Sequence, residues 1–236
     1  DKCYDNVEWV WGYRETDHLG GKDVYSGSKG AAELVIKSYI NSFFHSEHPV
    51  KLAIGRAGNV IGGGDWATDR IIVDCMRAWS KGDSVDIRSP KATRPWQHVL
   101  EPLSGYLALG ESLAQQPQLH GNAFNFGPKA EQNHTVVDLL EDLSQQWGFE
   151  NSSEAYKIIE NIPFHEAGLL KLNCDKSLFY LKWESNLIYD ETIKFVGDWY
   201  TAFYCDKVDM YKVTLKQIEK YEKIAIERKK AWSQTI

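Results

Sequence analysis

The sequence lacks the features of several protein classes. It has only 4 cysteines in 236 residues and no C-x-x-C pair, which argues against a disulfide framework and favours reduced thiols in a cytoplasmic protein. No apolar run approaches the roughly 18–20 residues that a membrane-spanning helix requires. The net charge of −6 offers no general basic face to a nucleic acid backbone. What remains is an ordinary globular composition, long enough for one large domain or two small ones.

Extended and helical patterns alternate along the chain, which predicts an α/β fold with a parallel sheet. Apolar runs predict buried strands at 50–62 and 123–127, and alternation predicts a short strand at 84–88. Helical spacing predicts helices over 23–44, 68–80, 101–115, 135–147 and 190–204. The charged segment 207–232 predicts a surface helix docked on its own domain through an apolar stripe. That stripe consists of Val208, Tyr211, Leu215, Ile218 and Tyr221.

Tyr25 and Lys29 have the spacing Y-x-x-x-K. On a helix over 23–44 this places both side chains on one face, one turn apart. Chance supplies such a spacing about once in a chain this rich in Tyr and Lys, so the pair alone carries little weight. Gly27 and Gly30 make the same end of the helix slim, and close packing and room for a flat ligand explain this equally well.

Two other patterns favour structural roles. The turn Gly62–Gly64 could hold a phosphate, but a dinucleotide-binding loop needs G-x-G-x-x-G between a strand and a helix, and that pattern is absent from the sequence. A turn between domains is the better interpretation. His45 with His48, and His165 with Glu166, lack further ligands at suitable spacing, so no metal site is predicted.

Several arginines fall in the middle of the chain, at Arg56, Arg70, Arg88 and Arg94. Because the guanidinium group binds phosphate in a bidentate manner, these residues slightly favour a diphosphate ligand over ordinary ion pairs with surface carboxylates.

Together the motifs follow the order found in one family. The stretches are Asp1-Lys2, Tyr25-x-x-x-Lys29, R-A-G-N-V-I-G-G-G-D-W at 56–66, R-P-W-Q-H-V at 94–99 and F-N-F-G-P at 124–128. In these stretches the chain resembles the extended short-chain dehydrogenase/reductase family, in its nucleotide-sugar-modifying branch, and most closely the 4,6-dehydratases of that branch. The resemblance extends to about residue 205.

The resemblance implies a domain organisation. The C-terminal part of a Rossmann-type, NAD-binding parallel-sheet domain would occupy 1–62 and 98–128, and a smaller mixed α/β substrate domain would occupy 63–97 and 129–236. The family's glycine-rich loop, and the hydroxyl residue before its Asp-Lys pair, would precede Asp1. The sequence is therefore expected to be truncated at its N-terminus and not to retain NAD by itself. The family also implies a homodimer formed through the helix that bears Tyr25.

The activity implied by the resemblance is the NAD-dependent dehydration of CDP-glucose to CDP-4-keto-6-deoxyglucose. The sugar is oxidised at C4, water is lost across C5–C6, and the hydride returns to C6. The family pattern assigns Tyr25 as the base at the C4 hydroxyl, with Lys29 beside it and on the cofactor ribose. It assigns Asp1 as the acid that protonates the leaving C6 hydroxyl and Lys2 as the base at C5.

The CDP-sugar would be held by residues in the second half of the motif series. The resemblance assigns the diphosphate to Arg94 with help from Asn59, and places Arg70 near the nucleotide. Trp96 and His98 are interpreted as packing residues beside the site.

Two alternatives share this fold or this binding site. A nucleotide-sugar epimerase would use Tyr25 and Lys29 but would need no acid to expel a C6 hydroxyl, so Asp1-Lys2 favours the dehydratase. A non-catalytic module that binds a sugar nucleotide or serves in assembly is the other alternative.

Overall fold

The computed structural model describes residues 1–159 and 168–234, so His165 and Glu166 lie outside the described residues. Strands and helices alternate along the chain. The strands are β1 Ile54–Ala57, β2 Val60–Ile61, β3 Val85–Ile87, β4 Thr93–Arg94, β5 Gln97–His98, β6 Ala123–Phe126, β7 His134–Thr135 and β8 Tyr156–Ile158. The helices are α1 Val24–Phe43, α2 Ile71–Trp79, α3 Leu100–Gln115, α4 Val136–Trp147, α5 Asp175–Leu181, α6 Tyr189–Thr201 and α7 Met210–Glu227.

Most of the strand pairs are parallel, which confirms the predicted α/β fold class. β1 pairs with β6, β2 with β5 and β3 with β8 in parallel, whereas β4 and β7 are antiparallel. The single strand predicted at 50–62 is wrong, because β1 and β2 belong to different pairs. The extended conformation is interrupted between β1 and β2, at Gly58. A Cβ atom at this position would lie only 2.9 Å from the Pro95 ring.

The two largest of the four apolar clusters in the described ranges hold most of these elements. One lies where α3 and α5 cover β6, and its fully buried side chains include Phe124, Phe126 and Trp183. The larger one joins α2, α4 and α6 through residues such as Met76 and Leu139. Burial of each large apolar side chain contributes about 1.5–3 kcal/mol. The helix predicted at 190–204 continues as α6 only to Thr201 and then widens into a π-helical turn at Ala202–Asp206.

The C-terminal helix is docked as predicted, but of the predicted stripe only Ile218 and Tyr221 contribute to the contact. Val208, Tyr211 and Leu215 are exposed, whereas Tyr221 and Ala225 are buried. In the C-terminal half Tyr221 stacks on Trp232, with ring centroids 5.7 Å apart, while at the N-terminal end Met210 and Val213 pack against the larger core. None of the helices in the described ranges is both long and apolar enough to cross a membrane.

Candidate functional site

A cavity of about 1300 Å³ collects the residues that the sequence singled out. It is bordered by the first residues of the chain, the start of α1, the segment that leaves β1, and the facing ends of α2 and β3. All seven predicted site residues line it: Asp1, Lys2, Tyr25, Lys29, Asn59, Arg70 and Arg94. The structure thus brings together residues that are up to 93 positions apart in the sequence.

The first turns of α1 present Tyr25 and Lys29 to this cavity. Asp23 caps the helix by accepting hydrogen bonds from the Ser26 backbone nitrogen at 2.9 Å and from its hydroxyl at 2.7 Å. These bonds hold the pKa of the Asp23 carboxyl below its usual value. One turn apart, as the spacing predicted, Lys29 Nζ lies 5.4 Å from the centre of the Tyr25 ring. Tyr25 is 55% exposed, so a ligand can reach its hydroxyl.

The two glycines at this end of α1 have different roles. A Cβ at Gly30 would lie 2.9 Å from the Gly20 nitrogen, so only glycine lets the helix approach that backbone. A Cβ at Gly27 would meet nothing within 4 Å. Close packing therefore explains Gly30, whereas Gly27 leaves open space one turn from the cavity.

Asp1 and Lys2 lie beside the carboxyl end of β1. The backbone nitrogen of Asp1 is 2.8 Å from the Ala57 carbonyl oxygen, which fixes this residue next to the strand. The Asp1 carboxyl oxygen Oδ2 is buried and has no hydrogen-bond partner among the described residues. Buried polar atoms are normally satisfied, so this oxygen is available to a group that enters the cavity.

The predicted anion-binding residues lie farther along the same wall. Arg94 is buried on β4 and donates a hydrogen bond to the Thr93 carbonyl oxygen at 2.8 Å. Arg70 is exposed and occupies the cap position before α2. Asn59 lies in the break after β1, where its carbonyl accepts a hydrogen bond from the Gln97 backbone at 3.0 Å.

Arg56 does not fit the diphosphate interpretation. Its guanidinium group is 4% exposed and forms a bidentate pair with Glu33, at 2.8 and 2.9 Å. It also donates to the Tyr4 hydroxyl at 2.8 Å. Burial lowers the pKa of Arg56, but the hydrogen bonds to Glu33 and Tyr4 outweigh it and raise that pKa. The pair instead joins α1 to β1 and so positions the helix that carries Tyr25.

The glycine turn packs beneath an aromatic cluster. A Cβ at Gly63 would come within 2.1 Å of the Trp199 indole, so this glycine is needed for contact with α6. On the same loop, Trp66 lies with its ring centroid 4.8 Å from that of Phe203 and 6.2 Å from that of Trp199. The Tyr200 hydroxyl donates to the Asp65 carbonyl oxygen at 2.9 Å. These contacts hold the loop against α6 at the edge of the cavity.

Trp96 and His98 are both buried. Trp96 lines the cavity, while the His98 ring packs edge-on against Phe195 at 5.3 Å. Burial lowers the pKa of His98 to about 4. At neutral pH this ring is uncharged.

No protein-family model matches the chain. Among characterised proteins, it is similar to the CDP-glucose 4,6-dehydratase of Salmonella typhimurium, with 44% identity over 227 residues, which is 94% of this chain. It spans 62% of the length of that relative.

Solved structures of two nucleotide-sugar enzymes show the same fold. A dTDP-glucose 4,6-dehydratase from Bacillus anthracis, in complex with NAD, has a TM-score of 0.68 at 16% identity, covering 84% of this chain and 58% of its own. A UDP-glucuronic acid 4-epimerase from Bacillus cereus, in complex with UDP-glucuronic acid and NAD, has a TM-score of 0.72 at 16% identity, covering 86% and 60%. These likenesses support the Rossmann-type architecture.

Sequence reasoning missed part of the cavity wall. Asp74 on α2, Asp86 on β3 and Tyr106 on α3 also line it. None of them lies in a recognised motif at a diagnostic spacing. For Asp86 alone the sequence gave a signal, because the alternation of residues 84–88 sets Asp86 and Arg88 on one face of the strand.

Proposed function

We propose that this chain carries the catalytic and substrate-binding residues of an NAD-dependent CDP-glucose 4,6-dehydratase. The observation that carries the proposal is the presence of Asp1 and Lys2 in the same cavity as Tyr25 and Lys29. Oxidation at C4 requires only the tyrosine and lysine. An acid and a second base are needed only when water is eliminated across C5 and C6. The similarity to the Salmonella typhimurium CDP-glucose 4,6-dehydratase supports the same reaction and the same base.

The residues present fit the nicotinamide end of NAD. The Tyr25 hydroxyl and the Lys29 ammonium group line the cavity, and the hydrogen bonds of the described residues engage neither of them. Both can donate to ribose hydroxyls. NAD, when bound, supplies a hydride acceptor that oxidises C4 and then reduces C6. The motif for its pyrophosphate, G-x-G-x-x-G, does not occur in the 236 residues.

Tyr25 and Lys29 act together at C4. Tyr25 takes the proton of the C4 hydroxyl while that carbon becomes a ketone. Lys29, whose ammonium group is 5.4 Å from the centre of the Tyr25 ring, places a positive charge beside the developing phenolate.

Asp1 and Lys2 act at the neighbouring carbons. The C4 ketone acidifies the C5 proton, which Lys2 removes. Asp1 donates its proton to the C6 hydroxyl, which leaves as water and produces a C5–C6 double bond. When a hydride is delivered to C6, Lys2 returns to C5 the proton that it removed, and the C5–C6 double bond is reduced.

The remaining predicted residues hold the substrate. Arg94 and Arg70 supply positive charge for the diphosphate, and Asn59 supplies an amide. These residues come from segments on both sides of the proposed boundary between a Rossmann-type domain at 1–62 and 98–128 and a substrate domain at 63–97 and 129–236.

The test uses the natural protein that contains these residues. Incubated with CDP-glucose and NAD, it should yield a keto-sugar nucleotide lighter by one water, detected by mass spectrometry. Tyr25→Phe should lower the rate by at least about 100-fold and leave CDP binding unchanged in a calorimetric titration. A Tyr25→Phe protein with near-normal turnover would contradict the assignment.

Two alternative functions give different results in the same assay. An epimerase would return a product of unchanged mass. A non-catalytic sugar-nucleotide-binding module would bind CDP-glucose without changing it. The cavity position of Asp1 and Lys2 favours the dehydratase over both.

We also propose that the protein forms a homodimer through α1. Much of that helix is apolar and faces outward: Leu34, Val35, Tyr39 and Phe43 are each more than half exposed. Surfaces of this kind usually mark an interface. Sedimentation equilibrium should give twice the monomer mass, and a monomer at micromolar concentration would refute the dimer.

A cytoplasmic location is proposed on the cysteine chemistry. All four cysteines are free thiols in the structure, as expected in a reducing compartment. Fractionation of the source cells tests this, and recovery outside the cytoplasm would contradict it.

A further inference from the structure

Part of the cavity wall, past the proposed diphosphate-binding residues Arg70 and Arg94, has no role in the chemistry described above. This inference rests on the proposed function. In a nucleotide sugar, the hexose, the diphosphate, the ribose and the base follow one another in a line. With the hexose beside Tyr25 and the diphosphate at Arg70 and Arg94, the base must meet what remains of the wall. α2 and β3 form much of that part, together with residues such as Ser89, Val136 and Tyr200.

Asp74 is the carboxylate that α2 contributes to this wall. It lies in the first turn of the helix, four residues after Arg70, and so faces the same side. Burial and the charge of Asp69 raise the pKa of Asp74, while Arg77 and Arg88 act in the opposite direction. Nevertheless, its carboxylate forms no hydrogen bond or ion pair within the described part of the chain.

Arg88 is the cation on the facing strand. Val85 and Ile87 of β3 are buried in the core, so Asp86 and Arg88 share the opposite face, which borders the cavity. Arg88 is close enough to influence Asp74 electrostatically, yet the two groups do not pair, and across residues 1–159 and 168–234 its guanidinium group has no other partner. The Asp74 carboxylate and the Arg88 guanidinium group therefore line the same cavity without pairing with each other.

This pair matches the hydrogen-bonding edge of cytosine. Cytosine carries an amino donor at N4 beside acceptors at N3 and O2, whereas uracil and thymine carry an acceptor at O4 beside a donor at N3. A carboxylate accepts from the cytosine amino group, and a guanidinium donates to N3 and O2. With uracil or thymine, the carboxylate would face an oxygen and the guanidinium would face an N–H.

We propose that Asp74 and Arg88 select a cytosine nucleotide, with Asp74 accepting from N4 and Arg88 donating to N3 and O2. Selection then depends on repulsion of the wrong base as well as on attraction of the right one. The two residues determine specificity and take no part in the reaction at the sugar.

The experiment measures the dissociation constants of CDP, UDP and dTDP by calorimetry on the natural protein. The wild type should prefer CDP by about tenfold or more, and Asp74→Asn should reduce that preference by about tenfold, because an amide can donate to O4 as well as accept from N4. Arg88→Gln should weaken CDP binding and reduce the preference in the same direction. Asp83→Asn is the matched control, since Asp83 is exposed and lies outside the cavity wall.

The outcomes separate this inference from the proposed function. A wild-type protein that binds CDP and dehydrates CDP-glucose, with Asp74→Asn retaining the full preference, would overturn the inference alone. The same holds if Asp86→Asn, and not Asp74→Asn, abolishes the preference. A wild-type protein that binds none of the three nucleotides would overturn the proposed function and this inference with it. If Asp74→Asn does not fold, Arg88→Gln decides by retaining or losing the preference.

Discussion

Two buried glutamates of this protein are held in opposite ways. Glu33 of α1 is 5% exposed, and its charge is balanced by a bidentate ion pair with Arg56. Glu101 of α3 is 1% exposed and is held mainly by the backbone nitrogens of Asn186 and Leu187, at 2.8 and 2.7 Å. The first is a charge pair that joins α1 to the sheet beneath the candidate active site. The second joins α3 to the loop before α6.

The contact made by Glu101 is sensitive to protons. Burial raises the pKa of Glu101 to about 7, although its two backbone donors and the Tyr221 hydroxyl oppose the shift. Because this carboxyl is held mainly by neutral donors and titrates near 7, its protonation changes over the neutral range. Similar burial thus accompanies an ion pair at one site and a proton-sensitive contact at the other.

Breaking the charge pair should have the largest effect. Glu33→Gln leaves Arg56 buried without its counter-charge, and the free energy of unfolding should fall by about 3–5 kcal/mol. Urea denaturation followed by circular dichroism measures this. The matched control is the double variant Glu33→Met with Arg56→Met, which removes both charges and should recover at least half of the loss. A double variant as unstable as Glu33→Gln would show that the charge is not the cause.

Changing the second glutamate should have a smaller effect. Glu101→Gln keeps one acceptor but turns an amide N–H towards the other backbone donor, so a cost of about 1–3 kcal/mol is expected at pH 5. The same denaturation experiment measures it. A cost equal to that of Glu33→Gln would remove the distinction between the two sites.

The smallest expected effect is a slope in the pH dependence. The pKa of Glu101 is raised in the folded protein, so its contribution to stability is complete below its unfolded pKa of about 4.3 and is lost as pH rises through about 7. The stability difference between the wild type and Glu101→Gln should therefore shrink between pH 5 and pH 8. A constant difference for Glu101→Gln across this window would contradict the predicted titration.

Local patterns predicted the features that depend on local sequence. The helix that carries Tyr25 begins after Asp23 as predicted, because a capping carboxylate and apolar spacing are both visible in the sequence. The strand at 123–127 was also visible, as a short continuous apolar run. Helix α5 was missed because seven residues are too few to establish a helical period.

Contacts between distant segments could not be predicted in this way. Arg56 was grouped with the anion-binding arginines because nothing in its neighbourhood indicates Glu33, which lies 23 residues earlier on another element. Glu101 resembles any acidic residue in a first helical turn, and its burial depends on a backbone segment 85 residues later. Only the family resemblance predicted that Asp1, Lys2, Tyr25 and Lys29 would lie in one site.

Trp66, in the aromatic cluster beside the cavity, places a fluorescent side chain on the loop that contains Asp65 and Ala67. Trp66 is 38% exposed, and its neighbours in sequence, Asp65 and Ala67, both line the cavity. Indole emission depends on the polarity and the ring contacts around it, and the position of this side chain is coupled to the loop by Phe203 and Trp199. Filling of the cavity is therefore expected to change the emission of Trp66, one of nine tryptophans in the chain, without attaching a dye.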